Sequence, residues 1–462
     1  MKKSLLWVVV LILSISMVAA FSLYGCKPEA EEEVAEEEVA EEEVAEEEEV
    51  AEEEVAEEEE EVALAPADIQ FMNSKSEIQV QLEEAAVTFG EEHPGVTVEI
   101  ITAPEGSSPF ERITALYASG NAPALAMLDA GQMELMEEKL LDLSNEKWIA
   151  DAAVGNLSFA TMSDGSIVAF PFTVEGYAFI YNGAVLSAAG VDPTSIHTLD
   201  DLTAAFAAID ATGVAPISIS PMDWSLGAHF LTISYSTQAT DYPGVVAWLA
   251  DLAAGNVDLI TNANFNGLMD TFDLMKENNL EIDDPLAPTY EHGPEVLGGG
   301  QVGFWFMGNW AWPQIDSFDT ANGDYGYVPV PISNNADDYG NSNITASPTK
   351  YVTVDKEQND EAQQAAALEF LNWLVYSPSG QDALVNQMAC IPAFTNITIA
   401  PSDPLAQSIL SYMAEGNIQP MALSVPPDHW SILGGSMQKY LSGAIDRAGL
   451  AGEIEAYFAN IE

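Results

Sequence analysis

The stretch GGGQVGFWFMGNW, residues 298–310, joins a run of glycines to a run of apolar and aromatic side chains. Gly298, Gly300 and Gly303 match the letters of a dinucleotide-binding fingerprint, which requires a strand before the glycines and a helix after them. Residues 285–297 have turn and helix character instead, and an apolar run follows the glycines. Because this order is the reverse of the required one, we interpret the fingerprint as accidental.

The second half of the stretch favours a buried strand. Residues 302–307 are continuously apolar and follow a turn signal, a pattern that is typical of a strand in a protein core. The glycines at 298–300 then end a helix and turn the chain, and Gly308 and Asn309 end the strand. This interpretation places Trp310 just beyond the end of the strand, at the edge of a cleft.

Earlier in the chain, apolar strand-like runs alternate with amphipathic helical runs, which predicts α/β units. The chain has 462 residues, and 48% of them are hydrophobic, which is more than one compact core usually organises. We therefore expect at least two lobes. The alternating segments are predicted at residues 68–72 (strand), 76–92 (helix), 96–101 (strand), 110–119 (helix) and 125–128 (strand).

The chain is strongly acidic, with 74 Asp and Glu residues against 12 Lys and Arg residues. Binding to a phosphate backbone depends on clustered cations, so this composition argues against nucleic acid as a partner. Residues 62–462 alone retain 52 acidic and 9 basic residues. Two hypotheses stay open for this acidity: adaptation to saline surroundings, or a cation-binding surface. A melting temperature that does not rise with monovalent salt would contradict the first hypothesis.

The N-terminus has the pattern of an export signal at residues 1–25. Two lysines precede an apolar run at residues 5–21. The sequence Leu-Tyr-Gly-Cys at residues 23–26 follows, and it resembles the bacterial lipobox, in which Cys26 would carry the lipid. An uncleaved transmembrane anchor is the alternative. Cys390 is the only other cysteine, so no disulfide within the chain is expected once Cys26 is lipidated.

A low-complexity segment follows the predicted lipidation site. Residues 29–61 repeat the unit EEEVA and contain 22 Glu and no basic residue. Like charges at helical spacing repel one another, and the segment has little apolar area to bury. We therefore predict an acidic, solvated tether at residues 26–65, which holds a folded domain away from a membrane surface.

Motifs for catalysis are missing from the sequence. The five histidines never fall into the HExxH spacing of a zinc protease, and neither a GxSxG elbow nor a GxxxxGK[ST] phosphate loop occurs. We therefore predict no catalytic residue, no cofactor and no metal.

Aromatic residues close to turn signals are more informative. Trp224 follows Pro221 and Asp223, Trp310 follows Gly308, and Trp430 follows a pair of prolines. Sugars present flat C–H faces with hydroxyl groups around the edge, so a sugar site needs aromatic platforms beside carboxylate and amide groups. Packing in a core is the alternative for any one of these tryptophans.

Several segments, in the right order, resemble the sugar-binding extracellular solute-binding proteins of bacterial ABC importers. The likeness covers most of residues 66–462. The family's usual Gly before the Ile-Pro segment is replaced here by Ala389 and Cys390. The matching segments are Pro-Phe-Thr at 171–173, Ala-Phe-Ile-Tyr-Asn at 178–182, GQVGFWFMGNWAW at 300–312, His-Pro-Gly-Val at 93–96, residues 362–381 and Ile-Pro at 391–392.

The resemblance implies an α/β fold of the type II periplasmic-binding-protein class, in which two discontinuous lobes are joined by a hinge and hold ligand in the cleft between them. Lobe 1 is expected at residues 66–173 and 331–391, and lobe 2 at residues 174–330 and 392–462. Crossings between the lobes are expected near residues 172–176, 327–332 and 389–394.

The resemblance also implies ligand contacts. Trp310 and Trp430 match stacking tryptophans of the family, and Glu175 matches the carboxylate after the first crossing. Less specific matches lie in loops that carry acidic, amide and aromatic contacts in the family. These further candidates are Trp224, Asp223, Asp129, Asn73 and Lys75.

Together these observations predict a monomeric receptor, lipid-anchored at Cys26 to the outer face of the cytoplasmic membrane. It would capture a sugar or oligosaccharide and deliver it to the transmembrane subunits of an ABC permease, without chemistry of its own. Two alternatives stay open. The same fold could bind a polyamine or another cationic or osmolyte solute, or the chain could be a surface carbohydrate-active enzyme or adhesin.

Overall fold

A computed structural model describes residues 64–104, 108–153, 155–422 and 425–461. The predicted signal peptide, the lipidation site Cys26 and nearly all of the predicted tether lie outside these residues.

Within the described residues, nine strands form one mixed sheet in the order β2-β1-β3-β8-β4-β6-β5, with β7 paired to β4 and β9 paired to β8. The strands are β1 (Ala67–Asn73), β2 (Val96–Thr102), β3 (Leu125–Asp129), β4 (Phe170–Asn182), β5 (Ala215–Ser218), β6 (Val302–Gly308), β7 (Tyr325–Val328), β8 (Ile344–Val354) and β9 (Ile418–Gln419).

Helices surround this sheet. They are α1 (Gln79–Glu92), α2 (Pro109–Ala118), α3 (Gly183–Ala189), α4 (Leu199–Asp210), α5 (Ile233–Ser236), α6 (Tyr242–Ala253), α7 (Ala263–Glu277), α8 (His292–Gly298), α9 (Trp312–Asp316), α10 (Tyr339–Ser342), α11 (Glu361–Tyr376), α12 (Pro378–Asp382), α13 (Pro404–Glu415), α14 (His429–Leu441) and α15 (Arg447–Phe458). Two π-helical segments, Ser225–Phe230 and Ala383–Gln387, and five 3₁₀ turns complete the regular structure of the described residues.

The first α/β units form as the sequence predicts. The strands β1 and β2 pair in parallel, and β3 joins β1 on its other side, also in parallel. The helix α1 buries Leu82 and Phe89 against the sheet, and α2 starts at Pro109 after Ser108, whose hydroxyl accepts a hydrogen bond from the Glu111 amide. The predicted α/β class and the five predicted segments are confirmed.

Two long strands run from one half of the molecule to the other. Residues 170–177 of β4 pair with β8, and residues 177–181 pair with β6. The far end of β8, residues 350–354, also pairs with β3 on its other side. The register of β4 shifts around Thr173, where the strand passes from one core to the next. Both strands therefore belong to the two halves at once.

Four buried clusters divide into two pairs that define two lobes. One pair draws on residues 67–172 and 351–397, and the other draws on residues 174–346 and 391–458. The cores are rich in aromatic contacts, such as Phe89 with Phe370 in the first lobe and Phe230 with Phe306 in the second. The molecule is therefore a two-lobed α/β protein, as expected.

The stretch at 298–310 forms as predicted. The helix α8 ends at Gly298, and Gly300 turns the chain with a φ of 69°, a conformation that glycine adopts without strain. All seven residues of β6 are buried. A helix therefore precedes the glycines and a strand follows them, which is the wrong order for a dinucleotide site.

Candidate functional site

The end of β6 brings Trp310 to the boundary between the lobes. The strand leads into a 3₁₀ turn, Asn309–Ala311. The Asn309 side-chain oxygen accepts a hydrogen bond of 3.0 Å from the Gly176 amide on β4, which fixes the turn. A Cβ added to Gly308 would lie 2.0 Å from the Trp310 ring, so only glycine lets the indole fold back over the strand end. This explains the Gly-Asn-Trp sequence.

Trp310 belongs to an aromatic wall made of side chains from four segments. Its ring centroid lies 4.9 Å from that of His229 and 6.5 Å from that of Trp224. Trp224 also contacts Tyr290 at 5.7 Å, and His229 contacts Tyr177 at 4.7 Å. Trp310 and Trp224, two of the predicted ligand contacts, are therefore neighbours in space although 86 positions separate them in the chain.

His229 carries no charge at neutral pH. Burial lowers the pKa of its imidazole to about 4, while the Glu175 and Asp129 carboxylates act in the opposite direction and Lys350 acts in the same one. Nδ1 of this ring is buried and has no hydrogen-bond partner within the described residues. His229 was not among the predicted ligand contacts, although it follows Trp224 by only five positions.

A group of buried charges lies beside the aromatic wall. The Lys75 ammonium is 4% exposed, and it pairs with the Glu175 carboxylate on β4 and, at 2.7 Å, with Glu77. The Thr349 hydroxyl donates a hydrogen bond to the second oxygen of Glu175. Two predicted contacts, Lys75 and Glu175, are therefore paired with each other.

The charges hold each other ionised. Burial alone would lower the pKa of Lys75, but the carboxylates of Glu175 and Glu77 outweigh it and raise this pKa above its ordinary value. Burial alone would raise the pKa of Glu175, but Lys75 and then Lys350 outweigh it and hold this pKa below its ordinary value. Both groups are therefore charged at neutral pH.

A second ion pair lies near the first. The Lys350 ammonium on β8 donates to the Asp129 carboxylate at the end of β3, at 2.5 Å. Asp129 was predicted from its place after the third strand, whereas Lys350 was not selected. The two residues are 221 positions apart. No local sequence pattern links them.

Asn73 and Asp223 engage their own chain neighbours. The Asn73 amide donates to the Lys75 carbonyl and to Gln79, and its oxygen accepts from the Lys75 amide. It therefore shapes the turn that carries Lys75. The Asp223 carboxylate accepts a 2.8 Å bond from the Trp224 amide. These bonds position Lys75 and Trp224.

Trp430 stands apart from the aromatic wall. It lies in the first turn of α14, its side chain is 42% exposed, and no ring contact joins it to another described aromatic residue. Its carbonyl packs against Gly227 in the π-helical segment that carries His229. The backbone near Trp430 is therefore close to the wall, while its indole faces solvent.

A cavity of about 10 Å³ separates the wall from the charges. This is roughly the space of one water molecule, so a larger molecule can enter only when the lobes separate. Burial raises the pKa of the Cys390 thiol in this lining to about 12, which leaves it unreactive at neutral pH. The cavity is lined by Lys75, Glu77, Ile78, Thr173, Glu175, Asn309, Trp310, Pro313, Met388, Ala389 and Cys390.

A larger surface cavity of about 580 Å³ lies between positions 280 and 295 and shares no lining residue with the first cavity. Five acidic residues and His292 line it. Across the described ranges, three or more His, Cys, Asp or Glu side chains never come together in a way that could hold a metal ion. In the same ranges, none of the helices has the length and apolar character to span a bilayer.

Comparisons with known proteins agree with this architecture. The sequence profile of the bacterial extracellular solute-binding proteins matches residues 73–381. The chain therefore belongs to this family of exported, solute-binding proteins. The comparison with curated proteins gives no match.

Solved structures of similar fold include several sugar-binding proteins. RafE in complex with raffinose has a TM-score of 0.71 and 18% identity, covering 85% of this chain and 99% of that one. A sugar transporter protein from Bacillus licheniformis in complex with stachyose has a TM-score of 0.67 and 18% identity, covering 86% and 100%. Maltose-bound MalE3 from T. maritima has a TM-score of 0.64 and 18% identity, covering 85% and 98%.

Proposed function

We propose that this protein captures a sugar or short oligosaccharide between its lobes and delivers it to an ABC permease. One observation carries the proposal: the Trp310 ring and the carboxylates of Glu77 and Glu175 line the same cavity at the boundary between the lobes. An indole face suits the C–H face of a sugar ring, and carboxylates accept hydrogen bonds from its hydroxyl groups. The sugars named for the similar structures support this assignment.

Capture requires the cleft to open. When the lobes separate, Trp310 and Trp224 on the second lobe and Lys75 on the first become accessible, with Glu175 on the strand that joins them. A sugar that contacts both sides then favours the closed state, because its binding energy is largest there. Asp129 and Asp223 supply further acceptors at the edge, and Trp430 stacks at the mouth of the cleft. Asn73 contributes by holding Lys75 in place.

The lobe boundaries are part of the proposal. The predicted lobes are residues 66–173 with 331–391, and residues 174–330 with 392–462. Ile332 packs in the second lobe and Tyr351 packs in the first, which supports a second crossing within β8 rather than at 327–332. Ile391 packs in the second lobe, whereas Phe394 and Ile397 pack in the first, which supports a third crossing that extends from Ile391 to beyond Ile397.

The membrane attachment is also proposed. Lipidation of Cys26 would fix the chain to the outer face of the cytoplasmic membrane, where the permease lies. Residues 26–61 can span at most roughly 130 Å, which sets the greatest distance between such an anchor and the lobes. If Cys26→Ala leaves the protein in the membrane fraction of the cell, this part of the proposal fails.

A ligand screen on the purified full chain tests the function. Melting temperatures are measured with raffinose, stachyose, maltose and a chitin oligosaccharide, and with spermidine and glycine betaine as other solute classes. Each sugar is analysed for breakdown products afterwards. A ligand at a hundredfold excess over its Kd adds about 2.7 kcal/mol to stability, which is readily detected.

We expect at least one sugar to raise the melting temperature without product formation. Stabilisation by spermidine or betaine alone would replace the sugar with a cationic or osmolyte solute. Release of shorter sugars would identify a carbohydrate-active enzyme and overturn the proposal.

A further inference from the structure

His229 occupies a central position in the aromatic wall. It lies in the π-helical segment Ser225–Phe230, and its ring is flanked by Tyr177 at 4.7 Å, Trp310 at 4.9 Å and Trp224 at 5.5 Å. The rings of Tyr177 and Trp310 are inclined by 33° and 48° to the imidazole. Apolar packing alone would be served equally well by Phe at this position.

The nitrogen atoms of His229 distinguish it from such a Phe. Nδ1 is buried and lacks a hydrogen-bond partner within the described residues. Two polar groups of neighbouring residues are engaged elsewhere, because the Tyr177 hydroxyl bonds to Thr232 at 3.2 Å and the Thr232 hydroxyl bonds to the Ala228 carbonyl at 2.7 Å. Buried polar atoms are nearly always hydrogen-bonded in proteins, so this atom is free to take a partner from outside the chain where a ligand reaches it.

The charges around the ring decide its protonation state. Glu175 on β4, Asp129 at the end of β3 and Lys350 on β8 all act on it electrostatically. The Tyr177 ring also packs against it, and burial raises the pKa of the Tyr177 hydroxyl to about 12, so that group stays neutral. Burial dominates these effects for His229, whose pKa falls to about 4.

We propose that His229 selects the ligand through a hydrogen bond. A sugar hydroxyl group bonds to its unpartnered ring nitrogen while the sugar face lies on Trp310. This inference rests on the proposed function and makes His229 a specificity-determining residue. A neutral imidazole offers one donor and one acceptor, which suits a hydroxyl group because that group can do both. A ligand that lacks a hydroxyl at this place leaves the nitrogen unpaired and binds less tightly.

The same bond makes affinity depend on pH. Between pH 8 and pH 5 the His229 ring is neutral, so its protonation does not change the affinity for sugar. Below about pH 4 the free protein protonates the ring, and the sugar must compete with that proton, so affinity falls by up to tenfold per pH unit. A residue with only a packing role would not confer this dependence.

Titration calorimetry from pH 8 to pH 3.5 measures the sugar affinity of the full chain. The ligand is the sugar that raises the melting temperature most among raffinose, stachyose, maltose and a chitin oligosaccharide. His229→Phe keeps the ring and removes both nitrogens. His229→Asn keeps a polar atom close to the place of Nδ1 and does not titrate in this range. Circular dichroism verifies the fold of each variant at each pH.

His429 offers a matched control. Its ring is also buried, its Nδ1 also lacks a partner within the described residues, and burial also lowers its pKa to about 4. However, its ring packs against Tyr235, Tyr457 and Phe458 in the second lobe, away from Trp310. His429→Phe should therefore leave both affinity and its pH profile as in the wild type.

We expect His229→Phe to bind the sugar about tenfold more weakly at pH 7 and to lose the acid-dependent fall, with His229→Asn intermediate in affinity and also insensitive to acid. Wild-type affinity for His229→Phe at pH 7, or the same acid-dependent fall in this variant, would overturn the inference. If the wild type binds a sugar and Trp310→Ala weakens this binding while His229→Phe does not, only the role of His229 in selecting the ligand is refuted. If no sugar binds the wild type, the proposed function fails with it.

Discussion

Lys75 and Glu175 form an ion pair that is almost fully buried and that joins the turn after β1 to the strand β4. Glu77 and Thr349 complete the surroundings of the pair. Because β4 runs through both lobes, the pair ties the first lobe to the strand that leads into the second. The two side chains also line the cavity beside Trp310, so one ion pair serves both the crossing and the site.

Breaking this pair should destabilise the fold. Lys75→Met leaves Glu175 buried beside Glu77 without its cation, and Glu175→Gln removes the main partner of Lys75. We expect each single substitution to lower the free energy of unfolding by about 3 to 5 kcal/mol in urea titrations, and the double variant to lose less than the sum.

The pair Lys439 and Glu453 is the matched control. It lies at 2.9 Å on the surface, with side chains 52% and 35% exposed. The equivalent substitutions there should each cost less than about 1 kcal/mol. Equal costs for the two pairs would contradict the role assigned to the buried one.

Asp403 should make stability depend on pH. It caps the helix α13, where one carboxylate oxygen accepts a 2.7 Å bond from the Leu405 amide and the other is buried without a partner. Burial raises the pKa of Asp403 to about 7. The unfolded chain ionises this group near its ordinary pKa of 3.8, so stability is lost as pH rises from about 4 to 7.

Asp403→Asn keeps a side-chain oxygen that accepts the hydrogen bond from the Leu405 amide, and it removes the carboxyl group that titrates. Its gain in unfolding free energy over the wild type should be roughly 2 kcal/mol larger at pH 8 than at pH 5. Asp360 caps α11 at an exposed position, and Asp360→Asn is the control for replacing a capping carboxylate by an amide. The same difference between pH values in both variants would refute the assignment to Asp403.

Ala389 adopts a left-handed backbone with a φ of 52°, at the place where the family's usual glycine is replaced. This left-handed conformation costs a residue with a side chain about 1 to 2 kcal/mol, and it costs glycine nothing comparable. Ala389→Gly should therefore raise the free energy of unfolding by about 0.5 to 1 kcal/mol, after the extra entropy of glycine in the unfolded chain. Asn322, with a φ of 54°, tolerates this backbone, so Asn322→Gly should change little. Thermal unfolding of both variants tests the difference, and a loss of stability in Ala389→Gly would contradict it.

Local patterns in the sequence were sufficient for much of the fold. Hydrophobic periodicity and turn residues predicted the segments from β1 to β3, and the apolar run before Trp310 predicted β6. These signals work because strand and helix periods depend on neighbouring residues. The lobes to which β8 and residues 392–397 belong could not be predicted from local patterns, because contacts between distant segments determine them.

The candidate site was predictable only in part. Trp310 and Trp224 each follow a turn, and this local signal identified them. The pairing of Asp129 with Lys350 and the position of His229 between Tyr177 and Trp310 arise from contacts across the fold. A lone histidine in an apolar stretch gives no sign of its neighbours, so only the structure could select it.

Sugar binding on Trp310 is the central claim, and calorimetry with the most stabilising sugar of the panel tests it most directly. Trp310→Ala should weaken binding by an amount on the order of 1 to 3 kcal/mol, because it removes the stacking face. The control is Trp312→Ala, since that ring is partly buried against Tyr325 at 5.4 Å and lies outside the cavity lining. We expect weaker binding for Trp310→Ala and wild-type binding for Trp312→Ala; wild-type affinity in a folded Trp310→Ala protein would refute sugar stacking on Trp310.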